Sequence, residues 1–154
     1  MKRVRILAVG RLKVPHWLDA AGHYQNRLAH SLRLDIVNIK DADANASLVR
    51  RKEQEGERLL KQSRPGDVLI CLDEGGKTLN SRQFAELLRG VFDAGKAPCF
   101  LIGGAYGLAE GVKAAAQHCI SFGPMTFPHE MARVMLLEQL YRVENILAGT
   151  GYHH

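Results

Sequence analysis

The chain has 154 residues, 46% hydrophobic and 24% charged, a composition typical of one globular domain over 1–154. No apolar run reaches the roughly 18 residues of a membrane span, and the N-terminus reads as a first strand rather than a signal peptide, so we expect no membrane partner. The 21 Lys and Arg residues exceed the 16 Asp and Glu residues by five, which is compatible with a polyanionic partner without identifying one.

Apolar runs and helical periodicities alternate along the chain. Strands are predicted over 4–9, 32–39, 67–73, 98–102 and 119–122, and helices over 15–29, 47–62, 81–94, 110–117 and 128–147. A glycine-containing loop is expected at 74–77, and Ser47 and Ser81 are expected to cap their helices. The order βαβαβαβαβα predicts an α/β fold with a mostly parallel sheet and helices on both faces.

The helix predicted over 47–62 carries an unusually dense set of charges. Because both signs are mixed and several pairs are spaced i,i+4, a solvated surface is favoured over an RNA-contacting stripe, but both interpretations stay open.

Three cysteines, Cys71, Cys99 and Cys119, lie within apolar runs. An odd number without framework spacing argues against a disulfide scaffold, and no Cys/His cluster has the spacing of a metal site. The pattern predicts three buried thiols in a cytoplasmic protein and no bound metal.

Two glycine-rich corners follow predicted strands. In the first, Gly103, Gly104 and Gly107 fit neither a dinucleotide fingerprint nor a phosphate-binding P-loop, and spacing alone leaves a simple turn and a ligand-binding loop as equal alternatives. In the second, prolines at 124 and 128 stiffen a segment whose apolar side chains suit either a ligand wall or a rigid core connection.

The last predicted helix begins with His129 and Arg133 one turn apart, near an end that favours anions. The same end disfavours a protonated histidine, which would leave His129 able to act as a base or simply as a helix cap. The broad apolar surface farther along this helix is compatible with a subunit interface. The segment 149–154 has no packing pattern, and composition does not distinguish a frayed end from a functional tail.

Taken in order, several motifs resemble one known family. They are LAVGRLK at 7–13, KEQEGERLL at 52–60, LDEGGKTLNS at 72–81, FLIGGAYGL at 100–108, ISFGPMTFPHEMARVMLLEQLYR at 120–142 and the closing GYHH. Together they cover essentially the whole chain. They resemble the small bacterial SPOUT methyltransferases of the ribosomal RNA large subunit methyltransferase H type.

The resemblance implies a fold and an activity. Members of this family have a C-terminal trefoil knot, a rare exception to unknotted topology. They bind S-adenosyl-L-methionine in a bent form within the knot and act as homodimers. The implied reaction is methylation of N3 of a pseudouridine in 23S rRNA, on the assembled ribosome. A non-catalytic RNA- or ribosome-binding protein that keeps the knot is the alternative, and an unrelated nucleotide-binding enzyme is disfavoured.

Carried onto this sequence, the resemblance also implies site residues. Cofactor contacts would come from Leu72, Gly103, Phe122, Gly123, Pro124, Met125, Thr126 and Phe127. Arg133, Tyr152 and His153 would face RNA, and His129, Arg133 and His153 would be catalytic, with His129 or His153 taking the N3 proton and Arg133 stabilising the anion. Two departures matter: Ala105 and Tyr106 occupy a segment that varies in the family and adds no support, and His154 stands where Lys or Arg is common.

Overall fold

The computed structural model describes residues 1–153, and its elements follow the predicted alternation. They are β1 (Lys2–Val9), α1 (Pro15–Leu28), β2 (Leu32–Ile39), α2 (Leu48–Lys61), β3 (Asp67–Thr78), α3 (Ser81–Asp93), β4 (Ala97–Ile102), α4 (Glu110–Ala115), β5 (His118–Ser121) and α5 (His129–Ala148). Except at the end of β3, the boundaries lie within two residues of those predicted. The predicted role of His154 lies outside the described residues.

The five strands form one sheet in the order β2-β1-β4-β3-β5, and every pairing is parallel. This confirms the predicted α/β class. Since all strands run the same way, their carboxyl ends share one edge of the sheet, where ligands bind in folds of this kind.

Helices cover both faces of the sheet, which explains why β4 is apolar throughout, and β1 from Ile6 to Val9, rather than alternating. On one face, α1, α3 and α5 pack over side chains such as Ile6 and Phe100. On the other, Leu59 of α2 and Val112 of α4 pack over Leu7 and Leu101. Successive residues of one strand therefore enter different cores, as the strand period of two requires.

The segment 74–77 belongs to β3 instead of forming the predicted loop. After Leu72, β3 bulges away from β5 and returns, so that Ile120 pairs with both Leu72 and Lys77. Gly76 makes the return possible, because a Cβ there would lie 2.6 Å from the backbone carbon of Ile120.

Helix capping partly matches the prediction. Ser47 caps α2 by accepting a hydrogen bond from the backbone N–H of Arg50. The cap of α3 is Asn80 rather than Ser81, because Asn80 and Gln83 form a reciprocal capping box.

A buried ion pair lies at the opposite, amino-terminal edge of the sheet. Arg5, fully buried in β1, donates to the carboxylate of Asp67 and, at 3.1 Å, to that of Asp35. It also donates to the backbone carbonyl of Gln62 at 3.0 Å. These acceptors explain how a fully buried arginine is accommodated next to the apolar part of β1.

The cysteines are free thiols. Cys71 and Cys99 are buried, and burial raises the pKa of each to about 12. Cys119 is only half-buried, contrary to the prediction, because β5 is an edge strand of the sheet. Among residues 1–153, no helix has the length and apolar character needed to cross a membrane.

Candidate active site

The carboxyl ends of β3, β4 and β5 open onto a cleft of about 790 Å³. Of the residues predicted to contact a cofactor, seven lie in its wall: Leu72, Gly103, Phe122, Gly123, Met125, Thr126 and Phe127. Pro124 belongs to the same loop but is exposed and is not part of the wall. The cleft has the size and position expected of a small-molecule site in an α/β fold.

The first glycine corner forms a tight turn beside the cleft. Gly107 has φ +82° and donates its backbone N–H to the carbonyl of Gly104 at 3.1 Å. A Cβ on Gly103 would lie 2.5 Å from the carbonyl carbon of Gly107. The corner is thus a tight turn that also forms part of the cleft wall, so the two alternatives left open by the sequence are compatible.

The second corner is fixed by a side chain that we did not predict. The hydroxyl oxygen of buried Ser121 accepts the backbone N–H of Gly123 at 3.0 Å. The same hydroxyl lies 3.1 Å from the carbonyl oxygen of Glu74 and 2.8 Å from that of Gly123, so it can donate to either. Ser121 therefore ties the loop after β5 to the bulge of β3. The only sequence signal was a polar residue at the end of an apolar strand.

His129 is the first residue of α5, and Pro128 precedes it as the N-cap. His129 lines the cleft, as expected for a group that would act there. Glu130 accepts the backbone N–H groups of Lys13 and Val14, which holds the β1–α1 loop against the start of α5. The hydrogen bond from Lys13 makes the largest contribution to lowering the pKa of Glu130, and the one from Val14 acts in the same direction.

Arg133 lies one turn farther on, beneath the cleft rather than in its wall. Its side chain is almost fully buried and donates to Asn38 Oδ1 at 2.8 Å and to the carbonyl of Gly10 at 2.9 Å. Burial lowers the pKa of its guanidinium. The structure therefore brings His129, but not Arg133, together with the predicted cofactor residues.

Charged side chains that the sequence interpretation did not select also line the cleft. Lys113 of α4 lies 3.0 Å from the carboxylate of Glu110 and 3.5 Å from that of Asp73. The hydrogen bond to Glu110 raises the pKa of Lys113, which favours the protonated ammonium beside these two carboxylates. Asp73 directly follows the apolar part of β3, a position that could have suggested it.

The C-terminal segment packs against α5. The rings of Tyr152 and Tyr141 pack edge to face with their centroids 4.8 Å apart. The guanidinium of Arg142 lies 4.9 Å from the centroid of the Tyr152 ring. His153 Nδ1 lies 3.4 Å from Arg142 Nη1. Arg142 is thirteen residues beyond His129, about 20 Å along the helix axis. Within one chain, Tyr152 and His153 are therefore far from the cleft.

Among residues 1–153, no group of three or more His, Cys, Asp or Glu side chains is arranged to hold a metal ion.

Comparison with known proteins agrees with the fold. The family model described as "Predicted SPOUT methyltransferase" matches residues 1–153. The chain belongs to the SPOUT methyltransferase family. This match confirms the family suggested by the sequence motifs, and the parallel-sheet fold is consistent with it.

Several relatives carry the name "Ribosomal RNA large subunit methyltransferase H". The protein of that name from Nitratidesulfovibrio vulgaris (strain DSM 19637 / Miyazaki F) is 51% identical over 155 aligned residues, which cover 100% of both chains. That from N. vulgaris (strain DP4) is 48% identical, covering 100% of this chain and 99% of the relative. That from Oleidesulfovibrio alaskensis is 47% identical, with 100% of both chains covered.

Proposed function

We propose that this chain is an S-adenosyl-L-methionine-dependent methyltransferase that modifies N3 of a pseudouridine in 23S rRNA, on the assembled ribosome. The name shared by the relatives supports a substrate in large-subunit ribosomal RNA. The observation that carries the proposal is the cleft at the carboxyl edge of the sheet, which gathers seven residues implied by the family resemblance. The choice of pseudouridine as the target nucleotide, and of N3 as the methylated atom, rests on that resemblance. A trefoil knot and a cytoplasmic location belong to the same proposal.

The residues in the cleft fit the proposed cofactor. Leu72, Phe122 and Phe127 provide apolar surface for an adenine ring. In this proposal Gly103 lets the backbone approach the cofactor, and the space that a side chain would need there is already filled by Gly107. Both corners are held by hydrogen bonds within the chain, so the site is largely pre-formed. When bound, S-adenosyl-L-methionine supplies a methyl group activated by its sulfonium.

The residues of the chain must position the base and accept a proton. N3 of pseudouridine carries an imide proton that leaves before or during methyl transfer, and His129 lies in the cleft wall where it could accept that proton. Placement of the base next to the cofactor accounts for much of the remaining acceleration.

In this proposal, Arg133 acts beneath the site. A direct contact with RNA would require its guanidinium to leave the carbonyl of Gly10 and the side chain of Asn38. We therefore assign it a positioning role, in which it holds the loop after β1 against the helix turn that carries His129. Stabilisation of a developing anion by its buried charge is consistent with that position.

A homodimer gives Tyr152 and His153 a place in the reaction. About 20 Å of helix separate the C-terminal segment from His129 in the same chain. We propose that the Tyr152–His153 segment of one protomer reaches the cleft of its partner, where both residues face RNA and His153 is the second candidate for the N3 proton. Half-buried Met131 and Met135 on α5 are available for such a contact.

Two measurements test the proposal. Calorimetric titration with S-adenosyl-L-methionine should show binding, and labelled methyl groups should pass to ribosomes that lack the modification but not to naked rRNA. Binding to ribosomes without transfer would favour the non-catalytic alternative. Failure to bind the cofactor would contradict the proposed site.

Substitutions test which side chains take part in methyl transfer. His129→Ala, Arg133→Ala and His153→Ala should each impair transfer far more than cofactor binding. His30→Ala is the matched control, because His30 is exposed near the amino-terminal edge of the sheet. If all three variants turn over like the control, the assigned roles are wrong.

A further inference from the structure

An exposed tyrosine stands at the mouth of the cleft. Tyr106 lies within the turn between Gly104 and Gly107, lines the cleft and is 52% exposed. Exposed aromatic rings beside a binding cleft are a common means of contacting a planar ligand.

The ring of Tyr106 is supported by a cation from α2. The guanidinium carbon of Arg51 lies 4.9 Å from the ring centroid, a cation–π distance. Within the described part of the chain, Arg51 has no carboxylate partner, and its buried Nε has no hydrogen-bond acceptor. The main contact of Arg51 is therefore the ring, whose position the guanidinium helps to fix.

A second cation extends this corner into the cleft. Lys52 lines the cleft beside Tyr106, and among residues 1–153 no acidic side chain pairs with it. By contrast, Arg50 on the same helix contacts Glu53 at 3.4 Å and Glu57 at 3.7 Å. The charges of α2 are therefore separated by position. Arg51 and Lys52, near the cleft, have no acidic partner in the described part of the chain, whereas Arg50 is paired.

We propose that Tyr106, Arg51 and Lys52 form a docking surface for a nucleotide of the RNA substrate, adjacent to the methylated base. Tyr106 stacks on an unpaired base, and Lys52, with Arg51, contacts the phosphate backbone. An aromatic platform beside cations without acidic partners is the combination that binds single-stranded nucleic acid. The inference rests on the proposed function, because it takes the cleft to be where a base is modified.

The test measures binding and turnover separately. Tyr106→Ala should lower kcat/KM for ribosomes lacking the modification by about tenfold or more, mainly through KM, since loss of one stacking contact has effects of that order. Its affinity for S-adenosyl-L-methionine should stay within about twofold of wild type, because stacking involves the base and not the cofactor. Tyr106→Phe keeps the ring and should retain activity.

The charged residues have their own readout. Lys52→Gln should weaken co-sedimentation with ribosomes and reduce its salt dependence by about one charge. Arg51→Gln should act in the same direction and also weaken the effect of the ring. Arg50→Gln is the matched control and should behave as wild type, because Arg50 pairs with Glu53 and Glu57 and does not line the cleft.

The outcomes separate this inference from the proposed function. If the wild-type protein transfers methyl groups and Tyr106→Ala is equally active, the docking surface is wrong. Loss of cofactor affinity in Tyr106→Ala, with ribosome binding intact, would make the ring a cofactor wall and also overturn it. If the wild-type protein transfers no methyl group, the proposed function fails, and co-sedimentation of the same variants still decides whether the surface binds RNA.

Discussion

The exchange Gly103→Ala tests whether the first glycine corner needs its close backbone approach. The added Cβ would lie 2.5 Å from the carbonyl carbon of Gly107 and 2.6 Å from its oxygen. Ordinary contact begins near 3.5 Å, so the turn must move by about 1 Å. The opposing atoms are backbone, in a turn closed by its own hydrogen bond, and no rotamer change can relieve the overlap.

The size of the effect follows from that displacement. Overpacking of this kind costs about 1–3 kcal/mol, which for a chain of this length lowers Tm by about 2–12 °C. Because the same corner lines the cleft, affinity for S-adenosyl-L-methionine should fall by about tenfold or more. Thermal unfolding followed by circular dichroism and calorimetric titration measure the two effects.

Gly90→Ala is the matched control, since Gly90 is exposed in α3 and a Cβ there meets no atom within 4 Å. It should raise stability by about 0.5–1 kcal/mol and leave cofactor affinity unchanged. If Gly103→Ala matches wild type in both stability and affinity, the close approach does not constrain the corner and the reasoning is refuted.

Three further predictions concern stability and thiol reactivity. Asp67→Ala should lower the free energy of unfolding in urea by about 3 kcal/mol or more, because it leaves the buried guanidinium of Arg5 without its main partner. The lowered pKa of Glu130 contributes stability that is present above its ordinary pKa of 4.5 and lost as pH falls below it, so Glu130→Gln should flatten the dependence of Tm on pH in that acidic range. Native protein at pH 8 should resist iodoacetamide at Cys71 and Cys99, because burial raises both pKa values to about 12.

Each of these predictions has a control on the same chain. Glu86→Ala breaks an exposed ion pair with Arg89 and should cost at most about 1 kcal/mol. An equal loss in this variant and in Asp67→Ala would contradict the importance of the buried pair. Gln25→Ala, which changes an exposed side chain that does not titrate, should keep the wild-type pH dependence of Tm. All three thiols should react after unfolding, and rapid modification of Cys71 and Cys99 in folded protein would contradict their burial.

The buried strands could be predicted because burial of both sheet faces leaves continuous apolar runs, and the helices because their apolar residues recur at helical spacing. The two exceptions, the end of β3 and the cap of α3, have different causes. The extension of β3 requires the backbone of β5 to fit against Gly76, and no local pattern contains that contact. The cap of α3 moved to Asn80 because a capping box with Gln83 competes better than a lone serine.

Most of the residues predicted to contact a cofactor line one cleft at the strand ends, but helical spacing did not predict that Arg133 lies beneath it. His129 and Arg133 are spaced i,i+4, so we expected both side chains to lie at the opening of the same cleft. Four residues rotate a helix by about 40° beyond a full turn and advance it by about 6 Å, enough to put the first side chain in the cleft and the second beneath it. No pattern in the sequence selected Tyr106, because the cation that contacts its ring, Arg51, lies some fifty positions earlier in the chain.

The most direct test of the central proposal is mass spectrometry of nucleosides from large-subunit rRNA after incubation with the protein and methyl-labelled S-adenosyl-L-methionine. Ribosomes that contain the unmodified pseudouridine should gain one labelled methyl group on N3 of that base, and His129→Ala should greatly reduce the gain. No incorporation into ribosomes, or a methyl group on a ribose or on another base, would contradict the account.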